Sequence, residues 1–158
     1  MFNKFKLLFD KADRYITASM SHSGIPLLRI SLGIVFFWFG FLKFFPGTSP
    51  AEMLATKTID ILTFGLIKPA VSIYLLASLE TLIGLALITR SFLRITLLLL
   101  FGQMIGTVTP LFLFPAETFT SFPFVPTLEG QYIIKNIILV SAGIVIGATV
   151  RKKEENIN

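Results

Sequence analysis

Four apolar windows dominate the sequence: Ile25 to Phe45, Pro69 to Ile88, Leu93 to Phe114 and Tyr132 to Val150. A helix needs about 20 largely apolar residues to cross a bilayer, and each window qualifies. Together they leave no stretch long enough for a soluble domain. Composition agrees, with 54% hydrophobic residues, 17 Phe and a mean hydropathy of +0.80 in a chain of 158 residues. The expectation is an all-α integral membrane four-helix bundle forming a single membrane domain over residues 1–158.

The first window is not read as a cleaved secretory signal. More than twenty residues precede it and no A-x-A site follows it. It is expected to stay as the first span. The chain has no Cys, which removes disulfides, thiolate metal ligands and dithiol redox chemistry. A redox role then calls for a bound cofactor or a partner subunit.

Cations set the expected orientation. Lys4, Lys6, Lys11 and Arg14 precede span 1, Arg90 and Arg94 separate spans 2 and 3, and Arg151, Lys152 and Lys153 follow span 4. The connection from Pro46 to Lys68 holds only Lys57 and Lys68, and the one from Pro115 to Gln131 holds neither Lys nor Arg. The positive-inside rule puts both termini in the cytoplasm and the two longer connections outside. A multi-pass protein of a prokaryotic plasma (inner) membrane is expected. The net charge of +5 then serves topology and lipid headgroups, and no nucleic-acid-binding face is recognisable.

Around the spans, Phe5, Leu8, Phe9, Ala12 and Ile16 recur at helical spacing between basic residues. That pattern predicts a basic amphipathic helix lying at the cytoplasmic interface, followed by an SHSGIP loop carrying His22. Outside, Ser49-Pro50-Ala51-Glu52 reads as a helix start and Gly65 as its end, giving a short outer helix between spans 1 and 2. The stretch FPAETFTSFPFVPTLEGQ holds three Pro and is expected to form no regular element. Its apolar content suggests a lid over the bundle mouth or a structural plug.

The polar groups inside the spans are few. At 100° per residue from Arg29, Gly33, Phe36, Gly40 and Lys43 fall at about +40°, −20°, +20° and −40°, with Trp38 opposite. This stripe should face protein, since small and charged residues of a span turn toward the bundle. Arg29 could equally snorkel to the cytoplasmic boundary. Lys43 leans toward the membrane centre, because helical side chains tilt toward their own N-terminus. Glu80, midway along span 2, is the only acid within the spans. An ionised carboxylate at that depth costs several kcal/mol unless paired. A depth difference of about 10 to 15 Å separates it from Lys43, to be closed by the two long side chains or by a water or ligand between them, so coupling is expected, not necessarily a direct pair. Gln103 lies at the depth of Glu80, as a ligand contact or as interhelical glue. Lys135 and Asn136 stand near the outer end of span 4. Three cations against one acid favour an anionic or carbonyl-bearing ligand. No metal site is expected.

LLRISLGIVFFWFGFLKFF, LASLETLIGLALI and PTLEGQYIIKNIILVSAGIVI resemble the DoxX/DoxD family of small four-helix membrane proteins. The resemblance runs from Leu27 to about Ile146 and rests on the order of R-x-x-x-G, G-x-x-K, E-x-x-x-G and K-N elements. It implies a bundle with both termini inside. It matches Arg29, Lys43, Glu80 and Lys135 to the family's intramembrane charged positions; Gln103 is added on geometry alone. The family includes a subunit of an archaeal thiosulfate:quinone oxidoreductase and, in animals, receptor assembly chaperones, so it fixes fold better than activity.

The expected function is a redox-associated membrane subunit binding a quinone or similar amphipathic ligand, with Glu80 as the catalytic group and Arg29, Lys43, Gln103, Lys135 and Asn136 as ligand contacts. A noncatalytic assembly or chaperone component and a proton-coupled carrier are the alternatives. Expected partners are the lipid bilayer and a membrane protein subunit, with homo-oligomerisation left open and no nucleic acid.

Overall fold

The computed structural model describes residues 2–45, 47–49 and 52–150. Among them, four helical stretches are long and apolar enough to span a membrane: Phe9–Leu42, Pro69–Thr89, Leu93–Leu113 and Leu128–Val150. The chain is an all-α membrane bundle.

The first helix, α1, runs unbroken from Phe2 to Leu42. The expected SHSGIP loop is therefore absent, and His22 and Pro26 are helical. Pro26 removes one backbone donor, but a loop at the bilayer boundary would strip several N–H and C=O groups of partners where water is scarce. Continuing the helix is the smaller loss. At 1.5 Å per residue α1 is about 60 Å long, twice the hydrocarbon thickness of about 30 Å. Its first half extends from the bundle with Phe9, Tyr15, Ile16 and Met20 exposed.

A short helix, α2 (Glu52–Leu62), follows. Pro50 and Ala51 of the predicted helix start lie outside the described residues, as do Arg151, Lys152 and Lys153. Glu52 accepts a hydrogen bond from the Gly47 N–H at 3.1 Å. After the helix, Phe64 and Gly65 take positive φ values of 53° and 76°, and the Gly65 N–H reaches back to the Asp60 carbonyl at 2.8 Å. This left-handed step closes α2 where Gly65 was expected to.

Helix α3 (Pro69–Thr89) starts with Pro at its first position, where a missing N–H is harmless. It ends on Arg90 in the left-handed region at φ 62°. A tight turn through Ser91 and Phe92 leads to α4 (Leu93–Val108). Pro110 then interrupts the helix at Thr109 and opens the four-residue α5 (Pro110–Leu113).

The proline-rich segment is more regular than expected. It forms α6 (Pro115–Thr118) and an antiparallel pair, β1 (Phe119–Ser121) with β2 (Val125–Pro126), pairing Phe119 with Pro126 and Ser121 with Val125. Each Pro sits where its missing donor costs little: the first turn of α6, the hairpin turn and a strand with a free edge. The last helix, α7 (Leu128–Val150), completes the bundle.

In the core, Leu32 and Phe36 of α1 meet Ile83 and Leu87 of α3, Leu100 of α4 and Ile146 of α7. The closest approach is between α1 and α3. A Cβ on Gly40 would lie 2.7 Å from Glu80 Cβ and 2.6 Å from the Thr81 nitrogen, one on Gly33 2.8 Å from an Ile88 methylene, and one on Gly84 inside the backbone of Phe37. Trp38, 62% exposed, is on the opposite face, as the helical wheel predicts.

Gly84→Ala is expected to lower stability by about 1 to 3 kcal/mol, the usual cost of overpacking. Gly102, with open space around its Cβ position, should accept Ala with a change within about 0.5 kcal/mol or a slight gain. Thermal unfolding of both variants in mild detergent measures the contrast.

Candidate functional site

The α1–α3 crossing sets the register that makes the site. With Gly40 seated against Glu80 and Thr81, Lys43 comes just past the end of α1, one turn beyond the contact. Its side chain turns back along the helix, with Nζ 3.4 Å from the Phe39 carbonyl, and donates to Glu80 Oε2 at 2.6 Å. The two side chains are only 12% and 10% exposed. The pair is thus direct, and the expected depth gap is closed because the helices are staggered.

Glu80 also binds α4. Gln103 Nε2 donates to its other oxygen, Oε1, at 2.7 Å. Both carboxylate oxygens are thereby satisfied, one by a cation and one by an amide, as a buried carboxylate requires. Lys43, Glu80 and Gln103 form a polar triad joining three spans, α1, α3 and α4. Two neighbouring polar atoms are not so provided for. Gln103 Oε1 and Thr81 Oγ1 are buried and have no hydrogen-bond partner among the described residues.

Arg29 is at the other end of the α1–α3 contact. Its NH1 donates to the carbonyl oxygens of Leu87 and, at 2.9 Å, Ile88. These carbonyls belong to the last turn of α3, where backbone acceptors lack intrahelical donors and the helix dipole favours a cation. Arg29 is therefore a helix cap that fixes α1 to α3, distant from Glu80 by two turns of α3. The glycine-lined stripe predicted from the sequence faces protein, with Gly33, Phe36 and Gly40 buried, but its two cations serve different acceptors.

Lys135 and Asn136 are not brought to the triad. Lys135 is exposed on α7 with Nζ 5.8 Å from the Tyr132 ring centroid, a cation–π arrangement between residues three apart. Asn136 is partly buried and makes no side-chain hydrogen bond to the triad. The cationic surplus counted along the spans is thus dispersed: within the triad one Lys balances one Glu. Thr81 was not anticipated from the sequence, where its place next to Glu80 was the available signal; its contact with Gly40 appears only in the packed structure.

A groove of about 420 Å³ opens between α4 and α7, lined by Arg94, Leu97, Leu98, Phe101, Gly147 and Val150. Phe101 and Gln103 are about 200° apart around α4, so the groove faces away from the triad.

Removing one member of the Lys43–Glu80 pair should be costly. Glu80→Gln or Lys43→Met is expected to destabilise the protein by about 3 to 5 kcal/mol, while Lys43→Met with Glu80→Leu should recover much of the loss, because an orphaned buried charge costs more than an apolar replacement. Unfolding midpoints of the single and double variants in detergent test this coupling.

No curated protein and no solved structure matches the chain significantly. The DoxX family profile matches residues 24–116, more than half of the chain, and that region contains Arg29, Lys43, Glu80, Thr81 and Gln103, whereas Lys135 and Asn136 follow it. The apolar spans, the charged stripe of α1 and the central acid of α3 thus agree with a sequence match of that extent: the chain is a multi-pass membrane protein belonging to the DoxX family.

Proposed function

We propose that the protein is a redox-associated membrane subunit that binds a quinone or a similar amphipathic ligand at Lys43, Glu80, Thr81 and Gln103. The observation supporting this reading is the buried Gln103 Oε1 without a donor, next to an amide nitrogen engaged by Glu80. An unmet buried acceptor costs about 1 to 3 kcal/mol, and a ligand hydroxyl would relieve it. The Thr81 hydroxyl and the one remaining Lys43 proton could serve a carbonyl. A quinone and its quinol present these two groups in alternation.

Charge balance narrows the ligand further. Because Lys43 and Glu80 neutralise each other at 2.6 Å, the triad suits a neutral hydrogen-bonding amphiphile better than a small oxyanion. In this reading Glu80 is the group that takes or returns the ligand's proton, with Lys43 stabilising its ionised form. Electrons pass to or from a partner protein, since the chain has no Cys to carry them as thiols. The distribution of cations supports placement in a prokaryotic plasma membrane with both termini cytoplasmic.

Protein purified in mild detergent is expected to retain extractable quinone, identified by mass spectrometry, and to bind added quinol. Gln103→Leu should weaken that binding about tenfold, equivalent to about 1.4 kcal/mol, near the worth of one hydrogen bond. Recovery of no quinone together with no binding of added quinone or quinol overturns the assignment.

A further inference from the structure

The hairpin between α6 and α7 has an apolar tip and a polar, fixed base. From Thr118 to Leu128 there is no charged residue. Phe122, Phe124 and Val125 at the tip are 68%, 87% and 51% exposed, and the Phe122 ring is braced edge-on against Phe119 at 5.2 Å. The base is anchored: Thr118 is fully buried, its carbonyl accepts the Thr127 N–H at 2.9 Å, and the Thr127 hydroxyl donates to the Glu117 carbonyl at 2.8 Å. Gly130 of α7 lies so close to the Thr118 carbonyl that no side chain fits between them. Lys57 of α2 adds an ion pair to Glu117 at 2.7 Å. The Phe side chains thus stand out from a held base, and do not fold inward as a lid.

We propose that this tip is a lipid wedge, seating Phe122 and Phe124 in the boundary between headgroups and acyl chains of the adjacent leaflet. Continuity selects lipid as the occupant. The hairpin leads directly into α7, whose first residue, Leu128, is 61% exposed, and it follows α5, where Phe112 is 79% exposed. Both are ends of apolar, membrane-spanning stretches, and apolar surface runs from Leu128 onto the hairpin tip with no charged residue between them, while Glu117, paired with Lys57, separates the hairpin from α5. Glu117 and Glu129 bracket the uncharged stretch and mark its polar margin. Exposed apolar side chains above a polar margin bury their area most directly in the interfacial layer of the bilayer. The inference stands on the membrane fold alone and is independent of any ligand at Glu80.

The sequence makes the test clean, because Trp38 is the only Trp and there is no Cys. In full-length protein carrying Trp38→Phe and reconstituted in phosphatidylcholine–phosphatidylglycerol nanodiscs, Phe124→Trp should lose emission to lipids brominated near the headgroup and be shielded from iodide. As a second measurement, a nitroxide on Phe124→Cys should relax with oxygen and not with a water-soluble nickel chelate. Access to iodide or nickel without quenching by brominated lipid would put the tip in water and overturn the proposal. Protection from all of these probes would put it beneath protein, a second copy or another subunit, and overturn it as well.

Discussion

The approach of α1 to α3 at Gly33, Gly40 and Gly84 is the contact on which the rest of the membrane structure depends. Between spans there is little hydrophobic drive, because lipid tails are as apolar as Leu, and association rests on close packing and interhelical hydrogen bonds. Glycine supplies the closeness. Gly84 admits the backbone of Phe37, and Gly40 admits Glu80 and Thr81. Once those contacts are made, the stagger of the two helices is fixed and Lys43 has one acid within reach. Arg29 holds the other end of the same contact by donating to the last carbonyls of α3.

Glu80 adds specificity that packing alone does not provide. A Leu at its position could slide among neighbouring apolar side chains, whereas a carboxylate with one oxygen on Lys43 and the other on Gln103 permits one register of α1, α3 and α4. The desolvation of both charges makes this weak as a source of net stability. Its physical consequence is selection of an arrangement, together with a proton-binding group held in a low-dielectric layer.

Much of this was legible in the sequence. The spans, the α1 stripe and the isolation of Glu80 follow from hydropathy and helical periodicity. The direct Lys43–Glu80 pair did not follow, because a depth estimate that starts both helices at the same membrane plane ignores stagger. Gly40 and Gly84 were visible, but the pairing of one with Glu80 and the other with Phe37 is a tertiary fact. The continuous α1 was hidden for a different reason: Ser, Gly and Pro together signal a loop in water, where freed backbone groups are hydrated, and that option weakens at a bilayer boundary. The hairpin was hidden by its prolines, which count against a strand only where a donor is needed.

Depth decides what each intramembrane polar group becomes, and hence which of them can belong to a site. Arg29 is near a helix end, where backbone carbonyls are short of donors, and it caps them. Lys135 remains on the surface over the Tyr132 ring, satisfied without entering the interior. Of Arg29, Lys43 and Lys135, it is Lys43 that reaches an acid among the described residues, because the glycine stagger carries it to Glu80. A count of charges along the spans therefore overstates the positive field at the bundle centre: the central pair is neutral. What is left over there is hydrogen-bonding capacity, on Gln103 and Thr81. Charge at the bundle centre is therefore balanced while hydrogen bonding is not, because the glycine stagger that brings Lys43 to Glu80 leaves Gln103 Oε1 with no donor among the described residues.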